Sequence, residues 1–221
     1  PISSLVDITN FITFDIGRPL HVFDAGKLKG NLSIRMANQG ENFLALDSKY
    51  YDLNKSILVI ADENNPVSIA GVIGGEDSSC DENTTEIFIE SAYFDPQNIA
   101  VSGRSLNILS DARYRFERGI DPDYVNKGID IMTELVLDIC GGEVSEEEQA
   151  GKIELTKKII EFNCDKVLQI GGVEIDKKKQ KDILLKLGFE VENKEDKLSL
   201  SVPKWRHDIN EEVDIVEELL R

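Results

Sequence analysis

Residues 141–151 read GGEVSEEEQAG. From Glu143 to Gly151, four glutamates and a single branched aliphatic side chain, Val144, leave almost nothing to bury, so residues 143–151 read as a linker between two folded regions. The hydrophobic pattern stops before it and restarts after it, which predicts domains at residues 1–150 and 151–221. Moving back from the linker, Asp121-Pro122 places a capping carboxylate and a first-turn proline ahead of a helix running to about Cys140. Val125, Ile129, Met132 and Leu135 lie on or near one stripe of it, and Gly141-Gly142 ends it. Asp95-Pro96 predicts a short helix to Ser105 in the same way. Earlier still lie strand-like pieces: Leu20–Asp24, Leu32–Met36, Phe43–Leu46, Tyr50-Tyr51, Ile57–Ala61, Val67–Ile73 and Glu86–Ala92. Asp7–Asn10 offers the cap of a first helix, broken by Gly17-Arg18-Pro19.

Moving forward, Lys152–Phe162 reads as a strand leading toward a short helix over Cys164–Ile170. Asp176–Leu187 is a clearer helix, capped by Asp176 and stopped by Gly188. Phe189–Glu192 and Leu198–Val202 alternate with period two about the charged turn Asn193–Lys197, a hairpin. Ile209–Arg221 closes as an amphipathic helix. Helices followed by a hairpin in this span predict a small winged-helix-like domain. The whole is expected to be α+β, a mixed α/β domain followed by that smaller one. The chain starts on Pro1 without Met and stops inside an unfinished helix, which predicts a piece of something longer.

The charge balance narrows the function classes. Among 221 residues, 42 acids face 25 bases, a net charge of −17. Residues 1–150 hold 26 acids and 11 bases, against 16 and 14 in residues 151–221. Such a surface repels a phosphate backbone, so any nucleic-acid contact must be local or supplied by other regions. A free-standing nucleic-acid-binding regulator built on the second domain is disfavoured for the same reason. Cys80, Cys140 and Cys164 are widely spaced without a CxxC, which suggests a reducing compartment; no apolar run is long enough for a membrane span.

Four clusters carry possible chemistry. His21, within Arg18–Asp24, could act as acid, base or hydrogen-bonding group, or be a structural histidine. Gly71–Glu76 is a glycine-rich turn without either phosphate-binding fingerprint, either an ordinary turn or a place of close approach. Ser110–Gly119, SDARYRFERG, concentrates Arg113, Arg115 and Arg118; its alternation predicts a strand edge with arginines on one side. Asp208, Asp214, Glu217 and Glu218 group carboxylates, three of them at helical spacing, as a solvated acidic face or as hard oxygen ligands suited to Mg²⁺. No serine-hydrolase elbow or zinc-protease motif is present.

Several long runs in order, VDITNF (6–11), GRPLHVFD (17–24), AGVIGGEDS (70–78), ESAYFDP (90–96), SDARYRFERGIDP (110–122) and VPKWRHDINEEVDIVEELLR (202–221), closely resemble the β chain of bacterial phenylalanyl-tRNA synthetases. The resemblance runs from end to end. It implies a B3/4 editing domain followed by a C-terminally truncated B5 domain. It also implies hydrolysis of tyrosine wrongly esterified to phenylalanine tRNA, in the cytoplasm. Glu90 would meet the tyrosine hydroxyl, and His21 and Ser110 would place the ester or water. Gly74 would leave room for the substrate, and Ala112 would border the ring. Asp208, Asp214, Glu217 and Glu218 would contribute to a magnesium site shared with the α subunit of an α2β2 enzyme. The ATP-dependent aminoacylation site would lie in that α subunit, so this piece would bind no ATP. Two positions depart from the pattern. Ser110 stands where threonine is expected, keeping the hydroxyl and losing a methyl. His207 stands where proline is expected. The competing reading is an interaction module whose pocket no longer works.

Overall fold

A computed structural model describes residues 2–153, 157–194 and 196–221. They form two compact units, Pro1–Gly151 and Lys152–Arg221. No helix among the described residues is long and apolar enough to cross a membrane.

The first unit opens with helix α1 (Ser4–Asp15), capped by Ser3, whose side chain accepts from the Val6 N–H. Strand β1 (His21–Asp24) follows. A β-rich section then runs through β2 (Ser33–Met36), β3 (Asn42–Leu44), β4 (Tyr50–Asp52), β5 (Leu58–Ala61), β6 (Pro66–Ile69) and β7 (Ile73–Gly74). Strands β2-β5-β6-β7 make one antiparallel sheet, β3 and β4 a hairpin, and an Ala45–Gly75 bridge links the hairpin back to the β7 end. Strand β8 (Ile87–Glu90) returns to pair with β1. Helices α2 (Pro96–Ser105), α3 (Asp111–Phe116) and α4 (Tyr124–Cys140) complete the unit.

The β1–β8 ladder positions the site. Its register sets His21 opposite Glu90, Val22 opposite Ile89 and Phe23 opposite Phe88. Period two therefore sends the side chains in two directions. Val22 and Ile89 pack with Ile8, Ile12 and Met132 under α1 and α4. Phe23 enters the main core with Phe43, Ile57, Val59, Ile69, Ile99 and Phe116. Side chains enclosed to this degree each contribute about 1.5–3 kcal/mol, so both faces of the ladder are firmly held. His21 and Glu90 lie on the Phe23 face.

The second unit holds β9 (Ile159–Phe162), α5 (Lys166–Gly171), α6 (Lys177–Lys186), β10 (Glu190–Lys194), β11 (Lys197–Ser201) and α7 (Glu212–Leu220). The hairpin β10–β11 is extended by β9 into a three-stranded antiparallel sheet, order β10-β11-β9. Phe162, Leu184, Leu200, Ile209 and Ile215 fill its core. The helix–helix–hairpin order is the winged-helix-like one expected. The expected strand over Lys152–Phe162 forms from Ile159; its stretch at 154–156 lies outside the described residues, as does Glu195 of the turn expected over Asn193–Lys197.

Two expectations are corrected. Val67–Ile73 is not one strand, because Gly71 takes φ +65 and Val72 N–H bonds back to Ile69 O, folding the segment into β6, a tight turn and β7. A side chain at Gly71 would sit 2.9 Å from both Ile99 and Phe94. The SDARYRF segment is a helix rather than a strand edge. Ser110 caps α3, and the i,i+4 pairs Asp111–Arg115 and Arg113–Glu117, both 3.0 Å, run along it.

Candidate functional site

His21, Gly74 and Glu90 come from segments far apart in sequence and meet at one place, with Ser110 tied to the turn beside them. Gly74 lies on β7 directly against His21: a Cβ there would stand 2.4 Å from His21 Cε1 and 2.7 Å from Nε2. The space Gly74 leaves open is thus taken by the imidazole. His21 meets Phe23 edge-on, ring centroids 4.4 Å apart, and faces Glu90 across the ladder. Two residues before Gly74, the Val72 carbonyl accepts a 2.5 Å hydrogen bond from Ser110 Oγ. Ala112 sits on the first turn of α3 against the main core.

Burial sets the charge state of the two titratable groups. His21 and Glu90 keep some accessible surface although protein surrounds them on nearly every side. Loss of solvation pushes the His21 imidazole down to about 4, so it is neutral near pH 7. His21 Nε2 is buried without a hydrogen-bond partner. Loss of solvation also pushes the Glu90 carboxyl up to about 7, and the nearby Arg18 charge pulls it down against that effect. The site therefore offers a neutral imidazole able to bond through either ring nitrogen and a carboxylate poised to titrate near neutrality.

Ser110 is differently engaged. Its hydroxyl donates to Val72 O and accepts the Arg113 N–H at 3.0 Å, as the N-cap of α3. That geometry ties α3 to the turn beside Gly74, and both bonds survive a serine-for-threonine exchange. Arg113 is structural as well: it is buried, bonds Glu117, and occupies the space that Gly103 leaves. Arg115 lies over Phe14 and Arg118 over Tyr114, and both pair with neighbouring acids.

Arg18, which motif reasoning passed over, lies beside this site. It is 1% exposed, a fully buried guanidinium. A lone arginine between an apolar helix and an apolar strand was the available signal.

In the second unit three of the four candidate magnesium ligands are otherwise employed. Arg206 forks onto Asp208 through Nε (2.9 Å) and Nη2 (2.6 Å), and onto Glu218 through Nη1 (2.9 Å) and Nη2 (2.8 Å). Asp214 Oδ2 accepts the Asn210 and Glu211 N–H groups, capping α7. Glu217 is exposed. Among the described residues no group of three or more His, Cys, Asp or Glu is arranged to hold a metal ion. Asp208, Asp214 and Glu218 do not fit a magnesium ion in this arrangement, because a guanidinium and two amides already take up their charge.

The comparisons agree with the fold. Residues 1–141 match the B3/4 domain model and residues 160–221 the tRNA synthetase B5 domain model. The whole chain is 50% identical to the phenylalanine–tRNA ligase β subunit of Mesorhizobium japonicum, 51% identical to that of Brucella abortus and 49% identical to that of Paramagnetospirillum magneticum. In each case it spans 28% of the relative's length. With both domain models matched in order and half of all positions shared, the chain belongs to the bacterial phenylalanine–tRNA ligase β-subunit family, of which it carries the B3/4 and B5 domains.

Proposed function

We propose that the first unit is an editing module that hydrolyses tyrosine esterified to phenylalanine tRNA. The second unit would support subunit and RNA architecture beside the α subunit. The parent ligase would attach phenylalanine to its tRNA with ATP at a site outside this chain. The observation that carries this reading is the meeting of His21, Gly74 and Glu90, through the β1–β8 register and the close approach of His21 to Gly74.

One hydroxyl group separates the two amino acids. Tyrosine differs from phenylalanine only there, and a pocket that selects phenylalanine by size rejects tyrosine incompletely, so a second site reading the hydroxyl completes discrimination. Ionised Glu90 accepts the phenolic O–H in a charge-assisted bond. Phenylalanine leaves that carboxylate without a partner, costing about 1–3 kcal/mol or more. Hydrolysis requires a water held against the ester carbonyl and stabilisation of the oxyanion that forms. Neutral His21 can orient the water or the ester through Nε2, but being neutral near pH 7 it does not serve there as a general acid. No side chain here is an activated nucleophile, so water attacks directly, with the terminal ribose hydroxyls assisting. Ser110 holds α3, and with it Ala112, against the turn.

The reading gives magnesium no step. A metal shared with an α subunit would have to take Asp208 and Glu218 from Arg206.

Tyrosine titrated into the protein tests the pocket. The expected result is an ordered ligand between His21, Glu90 and Ala112, with binding lost in Glu90→Ala. Equal binding of tyrosine by Glu90→Ala would remove Glu90 from the role assigned to it.

A further inference from the structure

We infer that the Arg18 side chain takes the place of a main-chain bond that Pro19 cannot make, closing the β1–β8 ladder beside the His21–Glu90 rung and so fixing where that rung stands. Its consequence for activity rests on the editing reading, under which Arg18 is a positioning residue.

Strands β1 and β8 run antiparallel, with Asp24 opposite Ile87, Phe23 opposite Phe88 and His21 opposite Glu90. In such a pair, opposed residues exchange main-chain hydrogen bonds only at alternate rungs. The phase is visible just beyond Asp24, where Ala25 N–H donates to Glu86 O at 3.0 Å. Asp24 N–H turns away to Ser78 O, as the intervening rung requires. Bonded rungs therefore fall at Phe23–Phe88 and His21–Glu90. The next one in this register would set Pro19 opposite Ala92. Proline has no N–H, so the Ala92 carbonyl cannot be met there from the main chain. Arg18 Nη2 meets it instead, and also donates to Ser91 Oγ at 3.0 Å.

The bracket reaches a third element. Ser91 Oγ donates to Val125 O at 2.7 Å, in the first turn of α4. One turn on, Gly128 leaves room for the arginine stem: a Cβ there would stand 3.0 Å from Arg18 Cγ and 3.6 Å from Ser91 Oγ. Arg18 is fully buried, and its Nε and Nη1 have no hydrogen-bond partner, so Nη2 is its polar attachment. Burying a guanidinium held in this way is costly. The return is local. Glu90 is the last residue of β8, and strand ends without a further bond open most readily. The bracket stands where that opening would begin, at the rung carrying both His21 and Glu90.

Three variants separate the bracket from a general loss of packing or charge. Arg18→Met keeps much of the buried stem and removes the donor. Arg18→Met combined with Pro19→Ala returns a main-chain N–H opposite Ala92 without returning a charge. Ser91→Ala keeps Arg18 and removes one acceptor with its tie to Val125. Amide hydrogen exchange is followed by NMR in the 221-residue chain. Hydrolysis of tyrosyl and phenylalanyl esters of the tRNA is followed in the intact α/β enzyme. Arg18→Met should speed exchange of the His21 and Glu90 amides by roughly tenfold, the scale of one lost hydrogen bond, with Phe23 and Phe88 changing far less. It should lower kcat for the tyrosyl ester by on the order of 100-fold, as for a positioning group displaced by about 1 Å. The double variant should recover much of both, and Ser91→Ala should move both in the same direction by less. Unchanged exchange at His21 and Glu90, or a rise spread evenly over β1 and β8 that Pro19→Ala does not reduce, would overturn the inference. Normal tyrosyl-ester hydrolysis despite faster exchange at that rung would remove Arg18 from any positioning role. Faster exchange together with no tyrosine preference in the unaltered enzyme would leave the bracket standing and overturn the editing reading. Should Arg18→Met fail to fold, Ser91→Ala decides on the same two readouts.

Discussion

Gly74→Ala would place a methyl group 2.4 Å from His21 Cε1, 2.7 Å from Nε2 and 3.1 Å from Leu46 Cδ1. Ordinary contact begins near 3.4 Å, so the imidazole would have to retreat by about 1 Å. Gly74 is not among the residues with positive φ, so an alanine there carries no backbone strain. The obstacle is the end of a side chain, which can rotate off its preferred rotamer for roughly 0.5–1.5 kcal/mol. Adding the crowding of Leu46 gives about 1–2 kcal/mol in all. For a domain of this size that lowers Tm by roughly 2–8 °C. Activity should respond far more, since a 1 Å misplacement of a positioning group costs on the order of 100-fold. The assay is deacylation of mischarged tRNA by the intact enzyme carrying Gly74→Ala, with thermal unfolding measured alongside. A folded variant with unchanged deacylation would refute the claim that His21 must occupy the place Gly74 provides.

Other outcomes follow from the same geometry. Glu90 has its folded pKa raised to about 7 by enclosure, so its contribution to stability is full below its unfolded value and is lost as pH rises through about 7. Glu90→Gln should therefore be more stable than the parent at pH 8, by up to about 3 kcal/mol, with the gap closing toward pH 5; denaturant titrations at the two pH values check this. Tyrosine preference should rise with pH through about 7 as the carboxylate forms, and a preference independent of pH between 6 and 8 would contradict the acceptor role. Ser110→Ala removes the cap of α3 and the bond to Val72, which should cost about 1–2 kcal/mol, whereas Ser110→Thr should leave stability and deacylation near the parent values. Arg206→Met would leave Glu218 buried without its fork and should destabilise the second unit by about 2–4 kcal/mol. Chelating divalent metal should leave that unit's melting unchanged, which calorimetry with and without EDTA reads directly.

What the sequence made legible was mostly local. Asp95-Pro96, Asp176 and Gly188 announce helix ends through chemistry contained within a few residues, and α2 and α6 begin and end where those residues place them. The SDARYRF segment misled because Arg113, Tyr114, Arg115 and Phe116 alternate as a strand would. The stronger signal was the cap at Ser110 with acid–base pairs four residues apart. In Val67–Ile73 the apolar run continued through Gly71 and hid a turn. The contact of Gly74 with His21 joins residues 53 apart in the chain, and nothing local foretells it. Arg18 is legible as a lone arginine between apolar segments, but its partners Ser91 and Ala92 lie far along the chain and nothing local foretells them. The acids of the second unit were legible as a cluster. Arg206, two residues before Asp208, was equally visible and is the cation that occupies them.

Glu90, as the reader of one hydroxyl group, is the residue on which the editing activity turns. The most direct test compares the intact α/β enzyme with its Glu90→Ala variant on tRNA esterified with tyrosine and with phenylalanine, at pH 7.5. The prediction is rapid hydrolysis of the tyrosyl ester and slow hydrolysis of the phenylalanyl ester, with that difference lost in the variant. Tyrosyl-ester hydrolysis and discrimination unchanged by Glu90→Ala would contradict it.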